Sequence, residues 1–186
     1  MPAIDHFKHL APFYELALPF EALGSLLEHG GFSASHLVLD AGGGTGRVAE
    51  ALKPYVRGVV VADVSRGMLL QASKKRLPAI LSPVEALPFS NGTFDRIIMI
   101  DAFHHVCDQI AAANELWRIL APGGILLIQE PDIRKFAVKV VAAAEKIALM
   151  RSHFLSPLKI AELFLPCTTQ LAVMDEGFSA WVIVRK

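Results

Sequence analysis

The chain has 186 residues, of which 18 are basic and 18 acidic, so its formal net charge is zero. This balance provides no basic surface that would attract nucleic acid, and we expect no nucleic-acid partner. No uninterrupted apolar run reaches the ~18 residues that a membrane-spanning helix needs, so no integral membrane segment is expected. The two cysteines, at positions 107 and 167, form no metal-type pair, and the sequence predicts a single cytoplasmic domain over residues 1–186.

Hydrophobic residues make up 53% of the sequence, and the mean hydropathy is +0.45. Parallel strands that are buried on both faces of a sheet are apolar throughout, and this is the first explanation. A ligand pocket and a homodimer face are the two alternatives.

The predicted elements begin with a helical cap over residues 1–30, where residues 11–29 have helical apolar spacing that Pro19 interrupts. A core over residues 36–186 follows. Apolar runs predict strands at 36–40, 58–63, 79–82, 94–101 and 125–130. Helical spacing and end signals predict helices at 45–55, 65–76, 106–120, 133–151 and 156–165. Residues 170–186 predict two strands that turn at Asp175–Gly177.

Ser65 is predicted to cap the helix 65–76. In the helix 106–120, the predicted buried stripe is Ile110, Ala113, Trp117 and Leu120. Strands that alternate with helices predict an α/β fold with a mostly parallel sheet covered on both faces. Ligands bind such sheets beyond the carboxyl ends of the strands. The residues that follow strands at that edge are the glycine loop, Asp63, Asp101 and Glu130.

The glycine loop lies in the segment VLDAGGGTGRVAEAL, residues 38–52. Glycine leaves no Cβ in the way of a ligand and permits a positive φ angle. Two registers are open. The residues Gly42, Gly44 and Gly46 form one loop, and Gly44-x-Gly46-x-x-Ala49 also matches the dinucleotide fingerprint. In either register Asp63, at the end of the second strand, is placed to accept both hydroxyls of a ribose.

Asp40 favours one ligand class over the other. A carboxylate at the base of the loop would repel a pyrophosphate and attract a cationic amino group. S-adenosylmethionine (SAM) carries an ammonium and a sulfonium and has no phosphate. The loop with its preceding carboxylate therefore indicates SAM rather than a dinucleotide.

Five segments resemble class I SAM-dependent methyltransferases, in the order of that family. VLDAGGGTGRVAEAL is similar to the first motif, and VVVADVSRGMLLQASKK is similar to the second. VEALPFSNGTFDRIIMIDAFHHV resembles the segment around the fourth strand. ELWRILAPGGILLIQEP resembles the fifth strand and its preceding turn. DHFKHLAPFYEL resembles the N-terminus of the ubiquinone/menaquinone-biosynthesis-like small-molecule subgroup. The resemblance implies a Rossmann-like three-layer αβα sandwich, with seven strands and a C-terminal antiparallel hairpin.

The resemblance also implies roles for individual residues. Asp40 and the loop Gly42, Gly43, Gly44 and Gly46 would hold the methionine part of SAM, and Asp63 would bind the ribose. Val64 and Met68 would pack against the adenine. Asp101 and Ala102 would lie beside the methionine part, and Tyr14 would close over the cofactor from the N-terminal segment.

Pro83 departs from the family pattern, which often has an aspartate at this position to accept from the adenine amino group. The contact would fall to Ser82, to the backbone of Val84 or Glu85, or to water. One missing hydrogen bond costs roughly 0.5–1.5 kcal/mol, which weakens cofactor binding without abolishing it. The departure leaves open a non-catalytic SAM-binding module of the same fold.

His104 and His105 follow the fourth strand at the mouth of the expected acceptor pocket, and either could act as a general base. Packing against the next helix is the alternative for each. Cys107 is expected to be a small buried side chain. Glu130 would orient an acceptor or cap a helix. His6 and His9 have no third ligand nearby in sequence, so no metal site is predicted.

The acceptor is predicted to be a small, apolar or aromatic molecule, because the segment after Glu130 is rich in apolar residues such as Met150 and Phe154. Covering the sheet is the alternative role of those residues. The leading function is thus a SAM-dependent methyltransferase, and the second is the non-catalytic module. The third is an NAD-dependent oxidoreductase that uses the dinucleotide register of the loop.

Overall fold

A seven-stranded sheet forms the centre of the protein in the computed structural model, which describes residues 22–139, 152–168 and 170–186. The strands are β1 (Leu37–Ala41), β2 (Gly58–Asp63), β3 (Ala79–Leu81), β4 (Phe94–Ile100), β5 (Leu120–Pro131), β6 (Leu171–Glu176) and β7 (Ser179–Arg185). The helices are α1 (Leu23–Gly30), α2 (Arg47–Leu52), α3 (Arg66–Lys74), α4 (Gln109–Ile119) and α5 (Pro157–Glu162). Short 3₁₀ turns cover Lys53–Tyr55 and Phe103–His105.

The strand order across the sheet is β3-β2-β1-β4-β5-β7-β6. The strands β1 to β5 pair in parallel, and β7 pairs antiparallel with both β5 and β6. The predicted α/β fold with a C-terminal antiparallel hairpin is confirmed. The order reverses between β1 and β4, and a crevice opens at such a switch point, beyond the carboxyl ends of the strands.

Alternate residues of the central strands pack into two apolar clusters on opposite faces of the sheet. On β4, Ile97 and Met99 belong to one cluster, while Ile98 and Ile100 belong to the other. The first cluster packs under α4 and α5, and the second includes residues of α1, α2 and α3. Both faces of these strands are therefore covered, which explains much of the apolar content of the sequence.

Three helix starts are fixed by side-chain caps, as short polar residues do at this position. Ser65 accepts a hydrogen bond from the Met68 amide, which confirms the predicted cap of α3. Asp108 accepts from the amides of Ile110 and Ala111 at the start of α4. Ser156 caps α5 in the same way.

Of the predicted stripe of the helix 106–120, Ala113 is buried and Trp117 packs partly buried against the core, but the prediction was wrong for Ile110. Helix α4 begins only at Gln109, because Asp108 is the cap, and Ile110 in its first turn is 64% exposed. Leu120 is buried, but it already belongs to β5. The side chains that α4 buries are Ala112, Ala113, Leu116 and Ile119.

Parts of two predicted helices lie outside the described residues. Of the residues 11–29, the structure describes only the last part, which contains α1. Of the residues 133–151, positions 136–139 are helical and 140–151 are not described. Within the described ranges, no helix has both the length and the apolar character needed to cross a membrane.

Candidate functional site

A cavity of about 220 Å³ lies at the switch point, beyond the carboxyl ends of β1, β2 and β4. It is bounded by the glycine loop, the ends of β2 and β4, and the segment that follows β3. The residues that line it are Asp40, Gly42, Gly43, Gly44, Thr45, Arg47, Val48, Asp63, Val64, Met68, Pro83, Val84, Glu85, Met99, Ile100, Asp101, Ala102, His105, Val106 and Cys107.

The loop between β1 and α2 brings its backbone close to the base of this cavity. Gly44 and Gly46 have φ angles of +56° and +73°, which side chains rarely permit. Gly43 has an ordinary φ angle, but a Cβ atom there would overlap the Asp40 carboxylate. Glycine is thus needed at Gly44 and Gly46 for the backbone conformation, and at Gly43 because Asp40 lies so close.

Asp40 ends β1 beneath the loop and is 1% exposed. Its carboxylate accepts a hydrogen bond from the Ala49 amide at 3.2 Å. Burial raises the pKa of Asp40 to about 7, against the lowering effects of the Ala49 amide and of Arg47. A cation in the cavity would favour the ionised form of this carboxyl group.

Asp63 ends β2, as the sequence predicts, and is held by the backbone around it. One oxygen accepts from the Gly44 amide at 2.9 Å, and the other accepts from the Ser65 amide at 2.7 Å. The glycine loop and the start of α3 therefore fix the carboxylate at the cavity wall. A carboxylate oxygen can accept more than one hydrogen bond. Both oxygens of Asp63 could therefore also accept hydrogen bonds from a ribose diol.

Asp101 follows β4 and pairs with Arg47, whose Nη2 lies 3.3 Å from its carboxylate. Burial raises the pKa of Asp101, and the charge of Glu130 adds to this effect, while Arg47 lowers it. The φ angle of Asp101 is 52°, an uncommon value for a residue with a side chain. This backbone turn directs the chain from β4 into the 3₁₀ turn that carries the two histidines.

The predicted adenine side has Val64 and Met68 in the cavity wall, together with the segment after β3. The Ser82 hydroxyl donates to the Ala86 carbonyl at 2.8 Å, and Ser82 does not line the cavity. The Glu85 side chain accepts from the amides of Cys107 and Asp108. Of the four substitutes for the missing aspartate, the backbone of Val84 or Glu85 and water therefore fit this geometry better than Ser82 does.

The cavity suits a cationic ligand that also offers a hydrogen-bond partner. Its described lining includes four carboxyl groups, from Asp40, Asp63, Glu85 and Asp101, and a single arginine. The hydroxyl of Thr45 is buried and has no hydrogen-bond partner among the described residues. A buried hydroxyl without a partner is costly, which indicates a ligand contact at this point of the loop. These features fit SAM and oppose the pyrophosphate of a dinucleotide.

Comparison with known proteins finds methyltransferases among the similar proteins. The family model described as a methyltransferase domain matches residues 39–128. The ubiquinone/menaquinone biosynthesis C-methyltransferase UbiE of Coxiella burnetii is 35% identical over 104 residues, which cover 50% of this chain and 42% of that protein. A demethylmenaquinone methyltransferase of Corynebacterium urealyticum is 37% identical over 103 residues, 54% of this chain and 45% of that protein. The chain thus spans about half the length of the curated relatives it matches.

Solved structures share the architecture along most of the chain. The YcgJ protein from Bacillus subtilis superposes with a TM-score of 0.73 at 26% identity, covering 84% of this chain and 70% of that chain. A SAM-dependent methyltransferase from Thermotoga maritima gives a TM-score of 0.80 at 20% identity, covering 97% of each chain.

Residues 39–128 thus match a methyltransferase-domain family, and the fold is that of the solved SAM-dependent methyltransferase. SAM is the methyl donor that this family implies, and the cavity residues fit it. The resemblance to UbiE-like proteins, drawn from the sequence motifs, is confirmed by the two relatives.

The structure separates the two histidines that the sequence could not distinguish. His105 lines the cavity. His104 is 4% exposed, and its Nδ1 lies 2.5 Å from a carboxylate oxygen of Glu130. His104 does not line the cavity, whereas His105 does. Its ring packs between those of His105 and Phe154, at centroid distances of 4.0 Å and 4.3 Å.

Glu130 has a structural role that the sequence suggests only in outline. One oxygen of Glu130 accepts from the amides of Ala102 and Phe103, at 2.9 Å and 2.7 Å. The other oxygen pairs with His104. Glu130 therefore caps the 3₁₀ turn that follows β4, which lies earlier in the chain than the helix it was expected to cap.

Cys107 was expected to be buried, and this was wrong. The residue is exposed at the cavity, because the chain must leave the 3₁₀ turn before Asp108 can start α4. Further lining residues had not been named individually, and of these Thr45, inside the glycine loop, and Arg47, directly after it, had a signal in the sequence. These further lining residues are Thr45, Arg47, Val48, Met99, Ile100 and Val106. Tyr14 lies outside the described residues and stays a prediction.

Proposed function

We propose that this protein transfers the methyl group of SAM to a small, apolar or aromatic acceptor. The observation that carries the proposal is the cavity at the switch point, where a glycine loop and several carboxylates surround a space suited to a cation. The curated relatives, named as methyltransferases of ubiquinone and menaquinone biosynthesis, support the same reaction class.

SAM, when bound, supplies a methyl group on a positively charged sulfur, which becomes a neutral thioether when the group is lost. The protein's own tasks are positioning and the exclusion of water. Asp63 would hold the ribose hydroxyls, and Val64 with Met68 would pack against the adenine. Asp40 and the unpartnered hydroxyl of Thr45 would hold the charged methionine end.

The acceptor would be an aromatic ring with an ionisable hydroxyl group. His105 is the histidine of the pair that reaches the cavity, and the apolar side chains of Met99, Ile100 and Val106 line the same space. An imidazole can take a proton from a phenol near neutral pH, which makes the acceptor more nucleophilic. The names of the two curated relatives favour quinol-type rings.

The first experiment measures binding of SAM and S-adenosylhomocysteine by calorimetry. We expect Asp63→Ala to weaken SAM binding by roughly 100-fold, because two hydroxyl groups lose a charged acceptor. Asp175→Ala is a matched control, since this exposed aspartate also accepts an amide two residues later but lies in the β6–β7 hairpin. Equal affinity of wild type and Asp63→Ala would contradict the assigned role.

The second experiment follows methyl transfer from labelled SAM to a panel of phenols, quinol precursors and amines. Turnover with the ring hydroxyl compounds is the expected result. The second candidate function, a non-catalytic SAM-binding module, is favoured by Pro83 in the position of the expected adenine contact. Micromolar SAM binding without turnover on any member of the panel would decide for that module.

A further inference from the structure

The segment 152–154 forms hydrogen bonds and a ring contact with the 3₁₀ turn that carries His105. The Oγ atom of Ser152 lies 3.3 Å from Nδ1 of His105. The next residue, His153, donates its amide to the carbonyl of His104 at 2.6 Å. Phe154 then stacks on the His104 ring with an interplanar angle of 12°. Three consecutive residues thus contact the two histidines, and none of the three lines the cavity.

The turn itself is held on two further sides. Glu130 accepts the amides of Ala102 and Phe103 at the start of the turn. Gln109, in the first turn of α4, donates through Nε2 to the carbonyls of Phe103 and His153. Since the backbone on both sides of His105 is fixed in this way, the imidazole meets Ser152 in a defined place.

We propose that Ser152 is a positioning residue that holds His105 in the tautomer with the proton on Nδ1, so that Nε2 is the nitrogen that takes the acceptor's proton. The proposal rests on the proposed function for its chemical purpose. Ser152 acts through His105, because it does not line the cavity itself.

The hydroxyl group of Ser152 suits both protonation states of the ring. In the neutral ring, Nδ1–H donates to Oγ, and Nε2 keeps its lone pair. When the acceptor hydroxyl gives its proton to Nε2, the electron pair of the broken O–H bond stays on the acceptor oxygen. The imidazolium then carries a proton on each nitrogen, and Nδ1–H still donates to Oγ. The hydrogen bond therefore persists through the proton transfer.

The test is the tautomer of His105, read from two-bond ¹⁵N–¹H correlation spectra of the full chain labelled with ¹⁵N-histidine. The spectra are recorded above pH 8, where an ordinary imidazole is neutral, and His105→Gln identifies the signal. We expect a protonated Nδ1 and an unprotonated Nε2 in the wild type. Ser152→Ala should move the proton to Nε2, the tautomer that free histidine prefers in water.

Two further variants separate positioning from simple packing. Ser152→Thr keeps the hydroxyl group and should keep the wild-type tautomer, while Ser35→Ala, in the distant 33–36 turn, should change nothing. A wild-type ring protonated on Nε2, or an unchanged tautomer in Ser152→Ala, would overturn the proposal.

Calorimetry with SAM on wild type and Ser152→Ala completes the test, and equal affinities are expected. Absence of SAM binding in the wild type would instead refute the proposed function, whatever tautomer the spectra show. A clear loss of SAM binding in Ser152→Ala alone would show that the residue supports the cofactor cavity, and would also overturn its assignment to His105.

Discussion

Asp40 is the residue whose chemistry the fold changes most clearly. Its carboxyl group lies at the end of a central strand with almost no exposure, and burial raises its pKa to about 7. Between pH 3.8 and 7 the folded protein therefore holds a proton that the unfolded chain has lost. The contribution of Asp40 to the free energy of unfolding must therefore fall as the pH rises from 3.8 to 7.

Asp40→Asn tests this pH dependence without cofactor. The amide oxygen can still accept from the Ala49 amide, but the side chain no longer ionises. We expect the free energy of unfolding of the variant, relative to that of the wild type, to increase by roughly 2–3 kcal/mol from pH 5 to pH 8, because the wild type loses the proton of Asp40 over this range. Urea unfolding at both pH values measures the difference. An identical pH slope in the two proteins would show that Asp40 does not titrate as described.

At the scale of the element, the loop between β1 and α2 combines two different constraints. Gly46 requires a positive φ angle, and a Cβ there would also meet Leu77 and Ala72, so substitution at this position damages the packing of the domain. Gly43 has an ordinary φ angle, and the three atoms nearest to a Cβ there all belong to the Asp40 carboxylate. A substitution at Gly43 should therefore displace the Asp40 carboxylate while the backbone changes little.

Gly43→Ala is expected to weaken SAM binding at least tenfold while the domain stays folded, because the new methyl group displaces the Asp40 carboxylate. Gly24→Ala is the matched control, since nothing lies within 4 Å of a Cβ atom at that position in α1. Removing a glycine from a helix gains about 1 kcal/mol of stability at most. Calorimetry and circular dichroism measure the two effects, and unchanged SAM affinity in Gly43→Ala would contradict the described approach of the loop.

At the scale of the whole molecule, the strand order β3-β2-β1-β4 produces the charge of the cavity. Asp40, Asp63 and Asp101 are far apart in sequence, but each stands at or just after the carboxyl end of a neighbouring strand. Parallel pairing of β1 with both β2 and β4 sets these ends side by side. Three carboxylates with one nearby arginine favour a cation over a polyphosphate.

Ligand binding to the folded state alone stabilises the whole domain, so a thermal scan reports on it. SAM at 100 times its dissociation constant adds about 2.7 kcal/mol, which for a domain of this size raises Tm by roughly 5–11 °C. NAD at the same concentration is expected to leave Tm unchanged. A rise in Tm with NAD and none with SAM would favour the oxidoreductase interpretation.

The sequence by itself determined the element order and much of the cofactor side. Strand periodicity, helix caps and the glycine loop are local signals, since each depends on residues close together in the chain. Asp40 and Asp63 could therefore be placed at strand ends before any coordinates were known, and both line the cavity. The predicted stripe of α4 holds at Ala113, but Ile110 is exposed in the first turn after the cap at Asp108.

Only the tertiary structure distinguished the two histidines that follow β4. His104 and His105 are adjacent in sequence and chemically identical, so no local pattern distinguishes them. Their difference comes from Glu130, 26 residues after His104, which binds one ring, and from Ser152, 47 residues after His105, which contacts the other. These contacts join residues that are distant in sequence. They form only when the folded chain brings the segments together.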